Sequence, residues 1–299
     1  MPSGEVAVDT AGVVLLARHV PFDDQASSFT CSNPTLVDVW NLCKHSVKAT
    51  SFTGVYIDGV RELKPYEGDA YINMLSHYGV AANPPIARYT HEYLLDNHTW
   101  PWEYPVMSIL MAWEDYMESG DDSSIRENYS KLKACVQVGD SEGLAEGAMV
   151  DWPRSIRNLY YEGGGRNSVT SGWIYRHLNV WAAIEELMGN HEQAEHYRTR
   201  AELTKRKMVE KLFDPNRGLY TDAERSDNVS VYGNAYPLAF GCFPEEHIPG
   251  VVTFLKARGM QCNVFAAQFL LDGLFNAGAA DYAIELMSAT SGNSWGHML

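Results

Sequence analysis

From Ser32 to Ala289 the sequence alternates between stretches with apolar residues three and four apart and short breaks rich in Gly, Pro, Asn and Asp. That pattern restricts the chain to helices packed on helices. Ser32-Asn33-Pro34 is a cap followed by a proline suited to a first helical turn, and the segment it opens carries Leu36, Val39, Trp40, Cys43 and Val47 at helical spacing. The same periodicity predicts helices over 66–80, from Pro85 to about Leu95, and over 100–119 with Val106, Ile109, Leu110 and Trp113 as the buried stripe. Further helices are predicted from Gly120-Asp121-Asp122 to about Val138, and over 170–188, 191–212, 234–240, 244–258, 263–277 and 279–289. No strict sequence repeat is visible, but helix, short turn, helix recurs as an architecture. A toroid of paired helices and an open solenoid both fit such a series. Solenoids carry a fixed period, and the varied segment lengths here favour the toroid.

Two stretches stand apart. Residues 5–22 alternate and are rich in valine, which predicts one or two short strands. Residues 139–170 hold the glycines and the segment DWPRSIRNLYYEGGGRNS, which predict a long irregular loop, and such loops are often functional.

Composition removes several classes of function. The formal net charge is −15 and no basic stripe exists, so neither nucleic acid nor an acidic membrane surface is an expected partner. Five cysteines (Cys31, Cys43, Cys135, Cys242, Cys262) are widely spaced with no CxxC, against a disulfide framework or a zinc site. No apolar run is long enough to span a membrane and no signal-peptide pattern opens the chain, so the default compartment is the cytoplasm. Sequons at Asn97, Asn128 and Asn228 carry no weight without secretion. The 8 Trp and 17 Tyr, with scattered carboxylates, suit a sugar, which offers apolar C–H faces and many hydroxyls; most of the tryptophans are expected to fill the helical core instead.

The densest chemistry lies in YIDGVRELKPYEGDAY, from Tyr56 to Tyr71. It carries the carboxylates Asp58, Glu62, Glu67 and Asp69 with Arg61, Lys64 and three tyrosines. Gly59 and Pro65 make its first half a loop, with Pro65 expected in the first turn of the next helix and Asp69 near that helix's positive end. A solvated acidic turn is the plain alternative. Two carboxyls flanking a glycosidic bond hydrolyse it, one protonating the leaving oxygen and the other activating water or attacking. Like charge and burial help a carboxyl keep the proton a general acid needs, and a paired arginine opposes this; Glu62 has both kinds of neighbour. Tyr66 is placed to stack on a sugar face. Two more aromatic–acidic clusters are His98-Thr-Trp-Pro-Trp-Glu-Tyr104, with Trp100 and Glu103, and Asp151-Trp152-Pro153. Other catalytic systems find no support. None of the ten histidines forms HExxH, no GxSxG occurs, and Gly163-Gly164-Gly165 is followed by no GK[ST]. His91 and His98 are expected to be structural or surface residues.

YIDGVRELKPYEGDAYINMLSHYGV, with the later TWPWEY, YMESGD, DWP and the terminal SWGHML, resembles the catalytic domain of glycoside hydrolase family 78, the α-L-rhamnosidases. The resemblance runs from FTCSNPTLVDVWNLCKHS at Phe29 to Leu299. It implies an all-α (α/α)6 toroid over 29–299, preceded by a β segment over 1–28, that removes terminal α-L-rhamnose from glycosides or polysaccharides with inversion. It implies Glu62 as general acid, Asp58 and Asp69 holding the rhamnose hydroxyls, and Tyr66 lining the sugar. Arg61, Trp100, Glu103, Asp151 and Trp152 are the further expected substrate contacts, and no cofactor or metal is implied. The departures are specific. Leu63 stands where relatives often have a second arginine, and Val60 where a polar residue is common. The family's general base is a glutamate soon after SWGHML, so the resemblance implies a chain lacking that base and the ring's last helix. The expected consequences are an apolar seam at which two copies pair, and weak or absent turnover. A rhamnose-binding protein without catalysis, and a helical toroid with no sugar function, are the alternatives.

Overall fold

A computed structural model describes residues 12, 21–51, 53–59, 61–99, 104–147 and 164–299. Eleven α-helices stand among them: α1 (Pro34–Ala49), α2 (Glu67–Tyr78), α3 (Pro85–Asp96), α4 (Pro105–Ser119), α5 (Ser123–Ala134), α6 (Ser168–Leu187), α7 (His191–Leu212), α8 (Val231–Ala239), α9 (Ile248–Arg258), α10 (Val264–Asn276) and α11 (Ala280–Ser288). Alternate helices form two concentric layers. On the inside α2 packs on α4, α4 on α6, α6 on α8, α8 on α10 and α10 back on α2. The odd-numbered helices lie outside, and α1 meets α11. Burial follows this division: α4, α6 and α8 are buried along most of their length, whereas α5 buries only Ser124, Ile125 and Leu132.

Because neighbouring helices joined by short turns run antiparallel, the connections sort by end. The outer-to-inner connections (50–66, 97–104, 135–167, 213–230, 259–263) gather at one end, and the mostly shorter returns (79–84, 120–122, 188–190, 240–247, 277–279) at the other. The long connections therefore share the end at which inner helices begin. Side-chain caps fix several of those beginnings: Asn167 accepts from the Thr170 N–H, Ser230 from Gly233 and Asn263 from Ala266.

The boundaries depart from the sequence reading in definite places. Helix α2 begins at Glu67, so Pro65 lies before the Tyr66 cap position and not inside the first turn. Helix α5 stops at Ala134, α6 begins at Ser168 and α8 at Val231. The turn at 214–218 closes a two-residue ladder, Phe213 opposite Tyr220 and Asp214 opposite Leu219. Of the expected β segment over 1–28, only Gly12 and 21–28 are described, and 21–28 is turn and coil. That stretch is pinned to α1: the buried Lys44 ammonium donates to the Asp24 and Ser27 carbonyls (2.7 and 3.0 Å), and Lys48 pairs with Asp24. Between α1–α2 and α10–α11 lies a groove of about 380 Å³ lined by Val39, Leu42, Ile72, Leu271, Met287 and Trp295, among others.

The inside of the ring is filled in two levels. Tyr71, Trp173, Tyr236 and Phe269 lie within the first two turns of α2, α6, α8 and α10, and Phe240 follows α8. Their rings interlock around the buried Trp173, which stands 4.9 Å from Phe240, 5.0 Å from Phe269 and 5.8 Å from Tyr236 between centroids. Deeper along the helices comes a polar level. Arg176 of α6 lies 3.6 Å from Glu114 of α4, and Gln268 donates to both oxygens of Asp272 on α10. Burial holds the Glu114 carboxyl above the ordinary range, with Arg176 pulling it back and Asp272 adding to the rise. Burial likewise raises Asp272, against Gln268 and Arg176.

A carboxyl raised by folding stabilises the fold fully below its unfolded pKa, and that contribution is lost as pH rises through the folded pKa. Both groups therefore weigh against the fold at neutral pH. Glu114→Gln and Asp272→Asn are each expected to raise the melting temperature at pH 7, with the gain vanishing near pH 3, about a unit below ordinary carboxyl values. A lower melting temperature at pH 7 would show that the pairing with Arg176 outweighs burial.

Candidate active site

The connection from α1 to α2 is anchored before it turns. Tyr56 and Ile57 are fully buried. The Tyr56 N–H donates to Thr90 Oγ1 (3.0 Å), and its hydroxyl shares a hydrogen bond with His77 Nδ1 (2.7 Å), on a ring that burial pushes down to about 4 and so keeps neutral. The Ile57 N–H donates to the Thr50 carbonyl. From there the chain makes a small closed loop: the Asp58 N–H donates to the Lys64 carbonyl (2.8 Å), and the Arg61 N–H to Asp58 Oδ1 (3.3 Å). Gly59 is needed because a Cβ there would lie 2.9 Å from the Thr50 methyl. Leu63 has φ +53, in the left-handed region. For a residue with a side chain this costs on the order of 1 kcal/mol.

This loop delivers the expected residues to the start of α2. Arg61 Nη2 lies 2.5 Å from Glu62 Oε1, in a pair whose arginine is 61% exposed and whose glutamate is 33% exposed. Such a pair adds little to stability, and its exposure leaves Arg61 able to move. On the other side of Glu62 stands Tyr66. Its hydroxyl is pushed up to about 12, first by its hydrogen bond with Glu62, then by burial and by the charges of Glu62, Asp58 and Asp69. That single phenol thus senses all three carboxylates, and Asp58, Glu62, Tyr66 and Asp69 form one cluster. Asp69 lies in the first turn of α2, where the helix favours an anion.

The fourth carboxylate, Glu67, was given no role by sequence reasoning and has a different one. It is fully buried at the first position of α2. Oε2 accepts from the Thr99 hydroxyl, and Oε1 from the Thr99 N–H and His98 Nδ1, both at 3.2 Å. His98 Nε2 continues to Cys135 Sγ at 3.8 Å. Burial, with the charge of Glu67, pushes that thiol up to about 11, so it is an inert core thiol and no nucleophile. Beside it, a Cβ on Gly68 would lie 3.4 Å from the Tyr104 ring. The α3–α4 connection is thereby fastened to the start of α2 on both sides of its Trp100–Glu103 centre. His98 is structural, as expected, and His91 is fully buried and pushed down to about 4 by burial.

Trp100, Glu103, Asp151 and Trp152 lie outside the described residues. Around the α5–α6 connection, Arg166 pairs with Asp140 (2.6 Å), Glu142 (2.7 Å) and Glu224 (3.6 Å), tying it to the α7–α8 connection. A cavity of about 400 Å³ opens there, lined by Glu146, Gly164, Gly165, Arg166, Glu224 and Arg225. It is at the same end of the ring as Glu62. Among the described residues no group of three or more His, Cys, Asp or Glu is arranged to hold a metal ion, and no helix is long and apolar enough to cross a membrane.

Glu67→Ala removes a fully buried carboxylate and with it the hydrogen bonds that tie exposed Thr99 and His98 to the start of α2. The expected cost is about 1.5–3 kcal/mol, the usual worth of hydrogen bonds to a charged group, and chemical denaturation measures it. A loss of under about 0.5 kcal/mol, the range of ordinary surface substitutions, would show that the joint is not needed.

Over residues 24–299 the chain matches the family described as the bacterial alpha-L-rhamnosidase 6 hairpin glycosidase domain. No curated protein matches it. Among solved structures it is similar to a rhamnosidase from Klebsiella oxytoca with rhamnose bound (TM-score 0.74, 18% identity, covering 91% of this chain and 56% of that one). It is also similar to a GH78 family rhamnosidase of Bacillus sp. GL1 (TM-score 0.74, 18% identity, 89% and 31%). A third is the alpha-L-rhamnosidase from Dictyoglumus thermophilum (TM-score 0.70, 16% identity, 90% and 33%). The chain spans between 31% and 56% of these relatives' lengths. At such identities the structures bear on the fold, an (α/α)6 toroid, and the family match bears on descent: the chain belongs to the bacterial α-L-rhamnosidase six-hairpin glycosidase family.

Proposed function

We propose that this chain forms the sugar-binding and acid-bearing part of an α-L-rhamnosidase, with Glu62 as general acid. The observation that carries the reading is the way Arg61 joins the carboxylates, its N–H on Asp58 Oδ1 and its guanidinium on Glu62, with Glu62, Asp58 and Asp69 together pushing up the neighbouring Tyr66 hydroxyl, at the ring end where most of the long connections gather. A terminal rhamnose would set its hydroxyls against the Asp58 and Asp69 carboxylates, which accept hydrogen bonds, and one face against Tyr66. Glu62 would pass a proton to the glycosidic oxygen while water attacks the anomeric carbon from the opposite face. The aglycone leaves as its alcohol, and rhamnose is released with inverted configuration. Before that transfer Glu62, now an acceptor from Arg61, must be loaded with a proton and released by Arg61, whose exposure permits the swing. Arg61 then becomes available to a sugar hydroxyl. The carboxylate that activates water is not assigned; Glu103 and Asp151 are this chain's candidates, each in sequence within an outer-to-inner connection.

The test is the dependence on the leaving group. Glu62→Gln is expected to lower hydrolysis of alkyl α-L-rhamnosides, whose leaving oxygen needs a proton, by about 10²–10⁴-fold. 4-Nitrophenyl α-L-rhamnoside, whose phenolate leaves unaided, should lose much less. Equal losses on both would indicate a binding role for Glu62, and rhamnose binding with no hydrolysis of either substrate by the unaltered chain would mean that neither Glu103 nor Asp151 serves as the water-activating carboxylate.

A further inference from the structure

We propose that the edge formed by Leu63, Lys64 and Pro65 is the seat of the leaving group, and that it selects rhamnosides with an apolar aglycone, alkyl or aryl, over those in which rhamnose is joined to another sugar. The inference rests on the rhamnosidase reading, because it takes Glu62 to be the group that meets the glycosidic oxygen. Whatever lies beside that acid on the solvent side then meets the other substituent of that oxygen. The residue that follows Glu62 is Leu63.

Leu63 is unusual on two independent counts. Its backbone is left-handed, with φ +53, a conformation that glycine or asparagine adopts with less strain. Its side chain is 49% exposed, one of the large apolar groups that the fold leaves in water. Single exposed leucines are common, but an exposed one held in a strained conformation next to a candidate acid is a different matter. Strained residues persist where surrounding structure enforces them, and they cluster at ligand sites. Here the enforcement is visible. The Asp58 N–H to Lys64 carbonyl bond closes the loop, and the Arg61 N–H bond to Asp58 braces it.

The neighbours extend the same character. Lys64 is exposed and makes no ion pair among the described residues, so its aliphatic stem is available as contact surface. Pro65 is half-buried and offers a rigid apolar ring. A second sugar would bring hydroxyls to this edge and find, in Leu63 and Pro65, no side-chain partner for them. An alkyl or aryl group would take Leu63 out of water.

Calorimetry on the Glu62→Gln chain, in which hydrolysis of rhamnosides with poor leaving groups is lowered about 10²–10⁴-fold, separates the outcomes. Hexyl α-L-rhamnoside is expected to bind at least about fivefold more tightly than methyl α-L-rhamnoside, as burial of a few methylenes provides. A rhamnosyl-glucose disaccharide should bind no better than the methyl glycoside. In Glu62→Gln, Leu63→Asn the residue accepts the left-handed backbone, so the melting temperature should hold or rise while the hexyl advantage falls below about twofold. A rise in stability together with a loss of hexyl preference is a pattern that a merely structural leucine does not give. Equal binding of hexyl and methyl glycosides, survival of the preference in the Asn variant, or tighter binding of the disaccharide would overturn the proposal. Failure of every rhamnoside to bind, the methyl glycoside included, would overturn the rhamnosidase reading and this inference with it.

Discussion

A carboxylate with no access to solvent, Glu67, holds the mouth of the ring together. A buried anion must be paired or hydrogen-bonded to persist, and Glu67 meets that demand with the Thr99 hydroxyl, the Thr99 N–H and His98. Its place at the first position of α2 adds the favourable end of the helix. The result is a joint between two connections far apart in sequence. Tyr66 precedes it and Asp69 follows it, so the geometry of the candidate site is set from a rigid point and not from a free loop. The small loop from Asp58 to Lys64 hangs from this joint on one side and from buried Tyr56 on the other.

The ring supplies the frame around that joint. Alternation of outer and inner helices sends the longest connections to the end where inner helices start, and it is there that Asp58, Glu62, Tyr66 and Asp69 lie. The interlocked rings around Trp173 fill the first turns of the inner helices, and Glu114, Arg176 and Asp272 lie further along those helices. Two sets of acidic residues, both part-exposed, thus lie at different depths along the inner helices: Asp58, Glu62 and Asp69 near Tyr66, and Glu114 and Asp272 near Arg176. A ligand with many hydroxyls suits the first, whereas the second is a cost the fold carries.

Much of this was legible in the sequence because it depends on local rules. The 191–212 helix was bounded correctly, since Gly189-Asn190 and Asp214-Pro215 punctuate both ends. The first helix was marked by Asn33-Pro34. The candidate cluster was legible as a string of carboxylates and tyrosine within twelve positions, Asp58 to Asp69. The start of α2 was misplaced because proline is tolerated both in a first turn and just before the cap, and periodicity does not distinguish the two. Glu67 looked like one more charge in the same run; its partners lie over thirty residues away and only the packing of α3 and α4 on α2 brings them close. The conformation of Leu63 had no sequence signal at all, because leucine is among the residues least suited to a left-handed backbone. The Arg176 cluster draws on three helices with no shared motif.

The central claim is that the cluster around Tyr66 is where a rhamnose ring sits. A crystal structure of the Glu62→Gln chain soaked in L-rhamnose tests it most directly. The account predicts sugar hydroxyls within hydrogen-bond distance of Asp58 and Asp69 and one sugar face against Tyr66. Rhamnose found only in the groove between α1–α2 and α10–α11, or in the cavity beside Arg166, with Asp58 and Asp69 untouched, would contradict it.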